Sequence, residues 1–258
     1  MSDPQDLTIA KGLAVAAWIL LILTAERAAP AVARRGGWPR ILRNAGLFAV
    51  NIGLSRLAVI PITVFAASVA LDWRPSWLQG GWALVADLLI LDLWIYFWHR
   101  ANHAVPFLWR FHEIHHLDEF LDASSAVRFH AGEVLMSAAV RAVVIVLLDI
   151  PLASVLAFET LVLVAAVFQH SNTRLPPALE RALSAVIVTP SIHWVHHHAV
   201  RRDTDSNYGT GLSVWDRIFA TLSPTPRTPE MAIGVERAHD RGFLALLIRP
   251  FRSGGEPD

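Results

Sequence analysis

Five apolar stretches constrain this chain more than anything else in it. A helix rises about 1.5 Å per residue, so about twenty apolar residues cross a hydrocarbon core roughly 30 Å thick. The stretches run Leu7 to Ala25, Ala45 to Leu71, Gly81 to Trp98, Val134 to Ile150 and Leu152 to Phe168. With 54% of residues hydrophobic, 17% charged and a mean hydropathy of +0.43, an ordinary soluble domain is excluded. The expected fold class is all-α, a multi-pass transmembrane helical protein. The first stretch reads as a membrane anchor, because Met1 to Asp6 carries two aspartates and no base, the wrong charge for a cleavable signal peptide. In the second, Asn51 and Arg56 must face protein or the interface rather than lipid. Trp73, Trp77 and Trp82 form an aromatic belt at one membrane face.

The last two stretches are hinged at Pro151 and are about seventeen residues each, so they read either as two spans or as a re-entrant hairpin. Ala178 to Val188 and Phe243 to Phe251 read as amphipathic helices lying at the interface. No repeat or long linker divides the chain, which is taken as one membrane domain, residues 1–258. Arg27, Arg34, Arg35, Arg40 and Arg43 crowd one short connection and mark it as cytoplasmic. Five crossings counted from an outside N-terminus then bring every histidine group to the cytoplasmic face.

The balance of 22 basic and 22 acidic residues leaves no cationic excess for nucleic acid. The absence of cysteine excludes disulfides, thiolate zinc sites, iron–sulfur clusters and cysteine nucleophiles. Histidine is what the chain has: twelve in all, eleven of them between His99 and His198. His99 and His103 are four apart, on one face of a helix continuing the third span. His112, His115 and His116 occupy i, i+3 and i+4 and converge on one stripe. His193, His196 and His197 repeat that spacing.

Neutral imidazole suits iron, zinc, copper and nickel, and eight or more such nitrogens exceed what one ion can hold. Two metals with four or five histidines each is the economical count, and His170 is the ninth candidate ligand. His198 lies about 140° around the helix from His193 and turns away. His239 is isolated and receives no role. His130 has no histidine neighbour and reads equally as a support behind a ligand or as a structural group.

A ligating imidazole usually gives its other N–H to an acid or a carbonyl. Asp92 lies seven residues before His99 on the same face, inside the third span. With His130, Glu133, Asn172, Asn207 and Asp216 it makes up the expected supporting set; Glu113 and Glu159 are weaker candidates. His112-Glu113-Ile114-His115-His116 also satisfies H-E-x-x-H, so an intramembrane zinc metallopeptidase is the alternative. Against it, a catalytic zinc takes three protein ligands, not eight or nine. A metal store or transporter would string its histidines along a pore.

Taken together, these residues resemble the fatty acid hydroxylase and sterol desaturase superfamily of membrane di-iron enzymes. The shared features are the H-x-x-x-H of His99 and His103 and the two H-x-x-H-H runs. The lead-in Asp92 to Trp98-His99-Arg100, the segment Arg128-Phe129-His130 with Glu133, and the closing Asn207-Tyr208-Gly209 and Trp215-Asp216-Arg217-Ile218-Phe219 are also similar. The resemblance covers Gly81 to Leu222, the expected catalytic region. Ala220 stands where the family usually has Gly before Thr, a change expected to alter a turn and not the metals.

The resemblance implies two iron ions held by the nine histidines in a helical cap at the cytoplasmic face, with O2 as co-substrate. It implies hydroxylation or desaturation of an unactivated C–H bond in a fatty acyl, sterol, ether-lipid or carotenoid substrate entering from the bilayer. Electrons would come from a ferredoxin, a cytochrome b5-like protein or a reductase. Zinc would compete for an all-imidazole site and could replace iron on purification. Lys11 is the only lysine, and this arginine bias points to a GC-rich genome and a bacterial inner membrane.

Overall fold

The structure is a computed structural model that describes residues 4–252, with side chains from residue 11 onward. The expectation placed on the charges of Met1 to Asp6 falls outside the described side chains. Among the described residues, regular structure is helical, with only isolated bridges such as Pro30 to Thr173. The long helices are α1 (Pro4–Ala28), α2 (Gly37–Leu54), α3 (Ile60–Ser68), α4 (Gly80–Ala104), α6 (Ala131–Leu148) and α7 (Leu152–Gln169). Between α4 and α6 lies α5 (Pro106–His116). The short helices α8 (Pro177–Ser184), α9 (Pro190–His196), α10 (Arg201–Thr204), α11 (Val214–Ile218) and α12 (Phe243–Ile248) follow.

α2 and α3 form one continuous rod, Gly37–Ser68, joined by a π-helical turn, Ser55–Val59, whose register is seen in the Ile60 N–H bonding the Ser55 carbonyl. Pro61, just past that turn, is the cause we assign: its ring has no N–H and would clash with the carbonyl four residues back in a regular helix. The rod, α4, α6 and α7 are the four helices, among the described residues, that are long and apolar enough to cross a membrane.

The first apolar stretch is helical too, within α1, whose opening residues lie outside the described side chains and leave the expected fifth crossing an expectation. From residue 11 onward it carries Lys11, Glu26 and Arg27. Its Glu26 is buried, accepting N–H bonds from Ala123 at 2.7 Å and Asn172 at 2.8 Å, so that end of α1 belongs to polar structure rather than to lipid.

The spanning helices pack through α3 on α6 and α4 on α7, around Ala66, Leu91, Ile145, Ile150, Val155 and Phe158. Most charged groups inside the spans are paired, since an isolated charge in hydrocarbon is expensive. Asp87 of α4 meets Arg74 and the Ser154 hydroxyl, and Arg141 of α6 reaches Glu159 of α7 at 2.7 Å. Glu159 is therefore an ion-pair partner. Asn51 turns inward and donates to the Phe129 carbonyl at 2.8 Å, whereas Arg56 is exposed at the π turn and does not face protein. Asp149, in the left-handed region at φ 52°, and Pro151 as the cap of α7 make the tight α6–α7 connection.

At one end of the bundle the remaining segments build a polar cap. Its loop after α5 is held by buried ion pairs. Arg40 of α2 is buried against Asp118 (2.5 Å) and Asp122 (2.7 Å), while wholly buried Arg128 reaches Asp240 (2.5 Å), Asn44 (2.9 Å) and the Ile114 carbonyl (2.8 Å). Burial alone would raise the Asp122 carboxyl above its ordinary range, but the Arg40 guanidinium overrides it and holds it below. The stretch at 178–188 is helical only to Ser184, while Phe243 to Phe251 is α12 followed by a 3-10 turn.

Candidate metal centre

α4 runs past the third apolar stretch and carries His99 and His103 into the cap. Val105 is extended, as a residue before proline prefers, and Pro106 opens α5 at its first position. The chain thereby folds back and sets His112, His115 and His116 against the α4 pair. His170 caps the C-terminus of α7, and α9, again opened by a proline, supplies His193 and His196 with His197 at its end.

These nine side chains are all buried and form two groups, the potential ligand atoms of each lying within 4.8 Å of one another. His99, His103, His112, His116 and His196 make one; His115, His170, His193 and His197 make the other. The groups share a wall, with the His116 and His197 rings stacked at 4.2 Å.

Each H-x-x-H-H run is divided between the groups, which corrects the expectation that it converges on one stripe. At 100° per residue, positions i+3 and i+4 lie about 100° apart, wide enough to face two centres. α5 sends His112 and His116 to the first group and His115 to the second. α9 does the reverse, sending His196 to the first and His193 with His197 to the second.

Five rings are oriented from behind through Nδ1. His99 donates to the Tyr208 carbonyl (2.8 Å), His112 to Glu133 (2.8 Å), His115 to the Arg128 carbonyl (3.0 Å), His170 to the Ala166 carbonyl (2.8 Å) and His196 to the Ser206 carbonyl (2.6 Å). With the proton on Nδ1, the Nε2 lone pair is free for a metal, the usual arrangement behind a ligating histidine. Burial, and then neighbouring imidazoles, push His115, His116, His193 and His197 well below the ordinary histidine value. Burial takes His196 down to about 3, against the opposing bond to Ser206. These rings are neutral at physiological pH, the form that coordinates.

The fit to metal can be tested on the orphaned atoms. Nε2 of His99, of His103 and of His196 is buried without a hydrogen-bond partner, while Nδ1 of His103 faces Asp205 at 3.4 Å. Each such group costs about 1–3 kcal/mol when left unsatisfied. A cation among these lone pairs satisfies them, and an all-imidazole donor set suits a transition metal.

The expected supporting residues divide. Glu133 stands behind His112 and also faces Asn102 at 3.4 Å. Asp216 accepts from the backbone N–H of Tyr208 (2.7 Å) and Gly209 (2.8 Å), fixing the turn whose carbonyl holds His99. Burial raises the Asp216 carboxyl, against the bonds from Thr221, Gly209 and Tyr208. Asn207, at φ 53°, clips that turn to the Ile192 carbonyl at 3.0 Å.

Asp92 touches no imidazole; it takes the N–H groups of Gly211 (3.0 Å), Leu212 (3.1 Å) and the Trp215 indole (2.8 Å), and so locks the closing segment onto α4. A Cβ on Gly211 would run into that carboxylate. His130 caps α6 through the Gly132 N–H at 2.9 Å and faces the Leu247 carbonyl, a structural position. Asn172 pairs with the Val32 backbone at 2.9 and 3.1 Å and ties down the segment after α1. His198 turns out to Asp203 (2.8 Å), and His239 is exposed beside Glu119.

Glu113 forms a bidentate pair with Arg249 at 2.8 and 2.9 Å, so the H-E-x-x-H reading lacks its water-activating carboxylate. The histidines gather in two buried groups rather than along a pore. What sequence reasoning missed are the carbonyls of Tyr208, Arg128, Ala166 and Ser206, since a backbone acceptor leaves no residue-type signal. It also missed Trp109, whose ring packs 5.0 Å from His103 and 5.4 Å from His116, with Arg201 over it at 4.5 Å.

Fold and site together define a helical membrane protein with a candidate dinuclear, all-histidine metal centre. A sequence model described as "Fatty acid hydroxylase" matches residues 84–221, and the chain belongs to that family. It is similar to the ornithine lipid hydroxylase OlsE of Rhizobium tropici, at 30% identity over 72% of this chain and 55% of that protein. A cholesterol 25-hydroxylase-like protein of Danio rerio is 31% identical over 57% of this chain and 58% of its own length. The human alkylglycerol monooxygenase is 28% identical over 55% of this chain and 31% of its own length. The match thus spans about half or less of each of these relatives. No solved structure matches.

Proposed function

We propose that this chain is a membrane oxidoreductase that hydroxylates or desaturates an unactivated C–H bond of a lipid with O2. The observation that carries the reading is the five-plus-four grouping of buried imidazoles in a chain of the fatty acid hydroxylase family. His99, His103, His112, His116 and His196 would hold one iron, and His115, His170, His193 and His197 the other. When bound, the metals supply the reduction of O2: in hydroxylation one oxygen atom enters the C–H bond and the other leaves as water, with two electrons and two protons drawn from outside.

The protein's own part is to keep nine lone pairs directed inward, to orient the rings through Glu133 and the backbone carbonyls, and to exclude water by burial. The relatives' names point to ornithine lipid, sterol and alkylglycerol chemistry, and a lipid reaching the cap from the bilayer is the substrate class we assign. The electron donor is a separate ferredoxin, cytochrome b5-like protein or reductase. The histidine cap lies on the cytoplasmic side of a bacterial inner membrane, on the arginine distribution and the rhizobial relative. The catalytic region is Gly81 to Leu222, within one domain.

The test is comparative lipid mass spectrometry of cells with and without the gene, with metal analysis of protein purified anaerobically in iron-replete medium. About two metals per chain and a lipid shifted by one added oxygen or two lost hydrogens are expected. An unchanged lipidome from metal-loaded, expressed protein would overturn the reading. So would a single zinc retained with activity on a peptide.

A further inference from the structure

α8 separates two cavities of unlike chemistry. Pro177, Glu180, Arg181 and Ser184 follow the i, i+3, i+4, i+7 spacing of one helical face and line a cavity of about 660 Å³. Leu183, with Ile187 and Val188 just beyond the helix, lines a groove of about 640 Å³ on the other side. That groove is walled by Leu88 of α4, Leu161 and Phe168 of α7 and Trp18 of α1, with Asp92 its one charged lining residue. Two of its walls are helices able to cross the membrane, so it faces hydrocarbon. Leu179 and Val186, both exposed, carry the apolar surface around the α8 segment.

The first cavity holds two opposite charges, each with one buried atom that makes no hydrogen bond. Arg227 lies over the Trp194 ring at 3.8 Å and gives Nη1 to the Thr173 carbonyl at 3.0 Å, but its Nη2 is buried without a partner. Oε1 of Glu180, in the same cavity, is likewise buried without a partner. Burial lowers Arg227 to about 10, against the pull of Glu180, so it remains a cation at neutral pH. Arg174 and Arg181, both exposed, stand at the rim. Buried charges are retained when something pairs with them. Here Glu180 and Arg227 attract each other through space, yet Oε1 of the one lacks a hydrogen-bond donor and Nη2 of the other lacks an acceptor, within one cavity.

We infer that this is a binding site for a zwitterionic amphiphile: an anionic phosphate or carboxylate at Arg227, an ammonium at Glu180, and an acyl chain laid across α8 into the apolar groove. The same head chemistry could come from a lipid or from a free soluble zwitterion, and the groove favours the lipid. The site lies behind α9, clear of the nine histidines, and the inference does not depend on metal or turnover.

The experiment uses the full chain in detergent, with bound lipid read by native mass spectrometry and by thermal shift. The probes are phosphatidylethanolamine, phosphatidylglycerol and glycerophosphoethanolamine. Phosphatidylethanolamine should bind about tenfold more tightly than phosphatidylglycerol, the difference one charge-assisted contact makes. Glu180→Gln, which breaks no hydrogen bond of Oε1 and removes only the pull on Arg227, should erase that preference. Arg227→Gln should weaken both lipids about tenfold or more. Leu161→Trp, which narrows the groove, should weaken both lipids without changing the preference. Equal binding of the two lipids by the unaltered chain, or a preference that survives Glu180→Gln, would overturn the head-group assignment. Glycerophosphoethanolamine binding as tightly as the full lipid would overturn the groove. Because no oxidation is measured, failure here leaves the proposed lipid oxidation standing, and an unchanged lipidome leaves this site standing.

Discussion

The pairing of His112 with Glu133 is where one side chain bears most directly on the metal. A carboxylate on Nδ1–H fixes the tautomer and makes Nε2 more basic, and loss of such a partner typically weakens metal affinity 10- to 100-fold. Glu133→Ala should lower affinity by that order in competition with a chromophoric chelator, while Glu113→Gln, at the Arg249 pair, should not; equal effects of both would reverse their assigned places. His103→Ala or His196→Ala should reduce bound metal below two per chain and abolish lipid oxidation. His198→Ala and His239→Ala, which face Asp203 and Glu119, should leave both intact. Ala220 illustrates a different effect. Its φ of 54° lies in the left-handed region, where a Cβ costs roughly 1–2 kcal/mol and glycine has no penalty. The family's usual glycine is thus a backbone requirement, and Ala220→Gly should raise stability by about 1 kcal/mol with metal content unchanged, readable as a higher melting temperature.

Among the elements, the loop from Leu117 to His130 decides whether α5 can present its histidines. It is bound by Arg40 to α2 and by Arg128 to Asp240 near α12, and the Arg128 carbonyl itself holds His115. Removing one partner from a buried ion pair leaves the other charge uncompensated, at about 3–5 kcal/mol. Arg128→Ala should destabilise the protein by that amount in thermal denaturation and lower metal content in the second group first; a change under 1 kcal/mol would show that the network is not holding the loop. The existence of the long helices was legible, because apolar runs and Pro151 state where helices span and turn. Element membership was less so. In α1 nothing local marked Glu26 as belonging to the cap, since its partners lie 97 and 146 residues away.

At the scale of the whole molecule, the two histidine groups are assembled from α4, α5, α7 and α9, so metal and tertiary structure support each other. A ligand that binds only the folded state stabilises it by mass action. Stripping the metal with a chelator should lower the melting temperature, and iron should restore it; a melting temperature indifferent to metal would mean the nine imidazoles are a structural core only.

By itself, the sequence determined that this chain is helical and membrane-embedded, and its spacing already named eight of the nine histidines, with His170 added by its place at the end of the last apolar stretch, because helix periodicity and apolar length are local properties. Only the tertiary structure decided how each H-x-x-H-H run splits between two centres, that Asp92 grips the closing segment instead of an imidazole, and that Glu113 turns to Arg249. Those outcomes depend on which distant group arrives to share a buried charge or lone pair, and that is set by packing rather than by spacing along the chain.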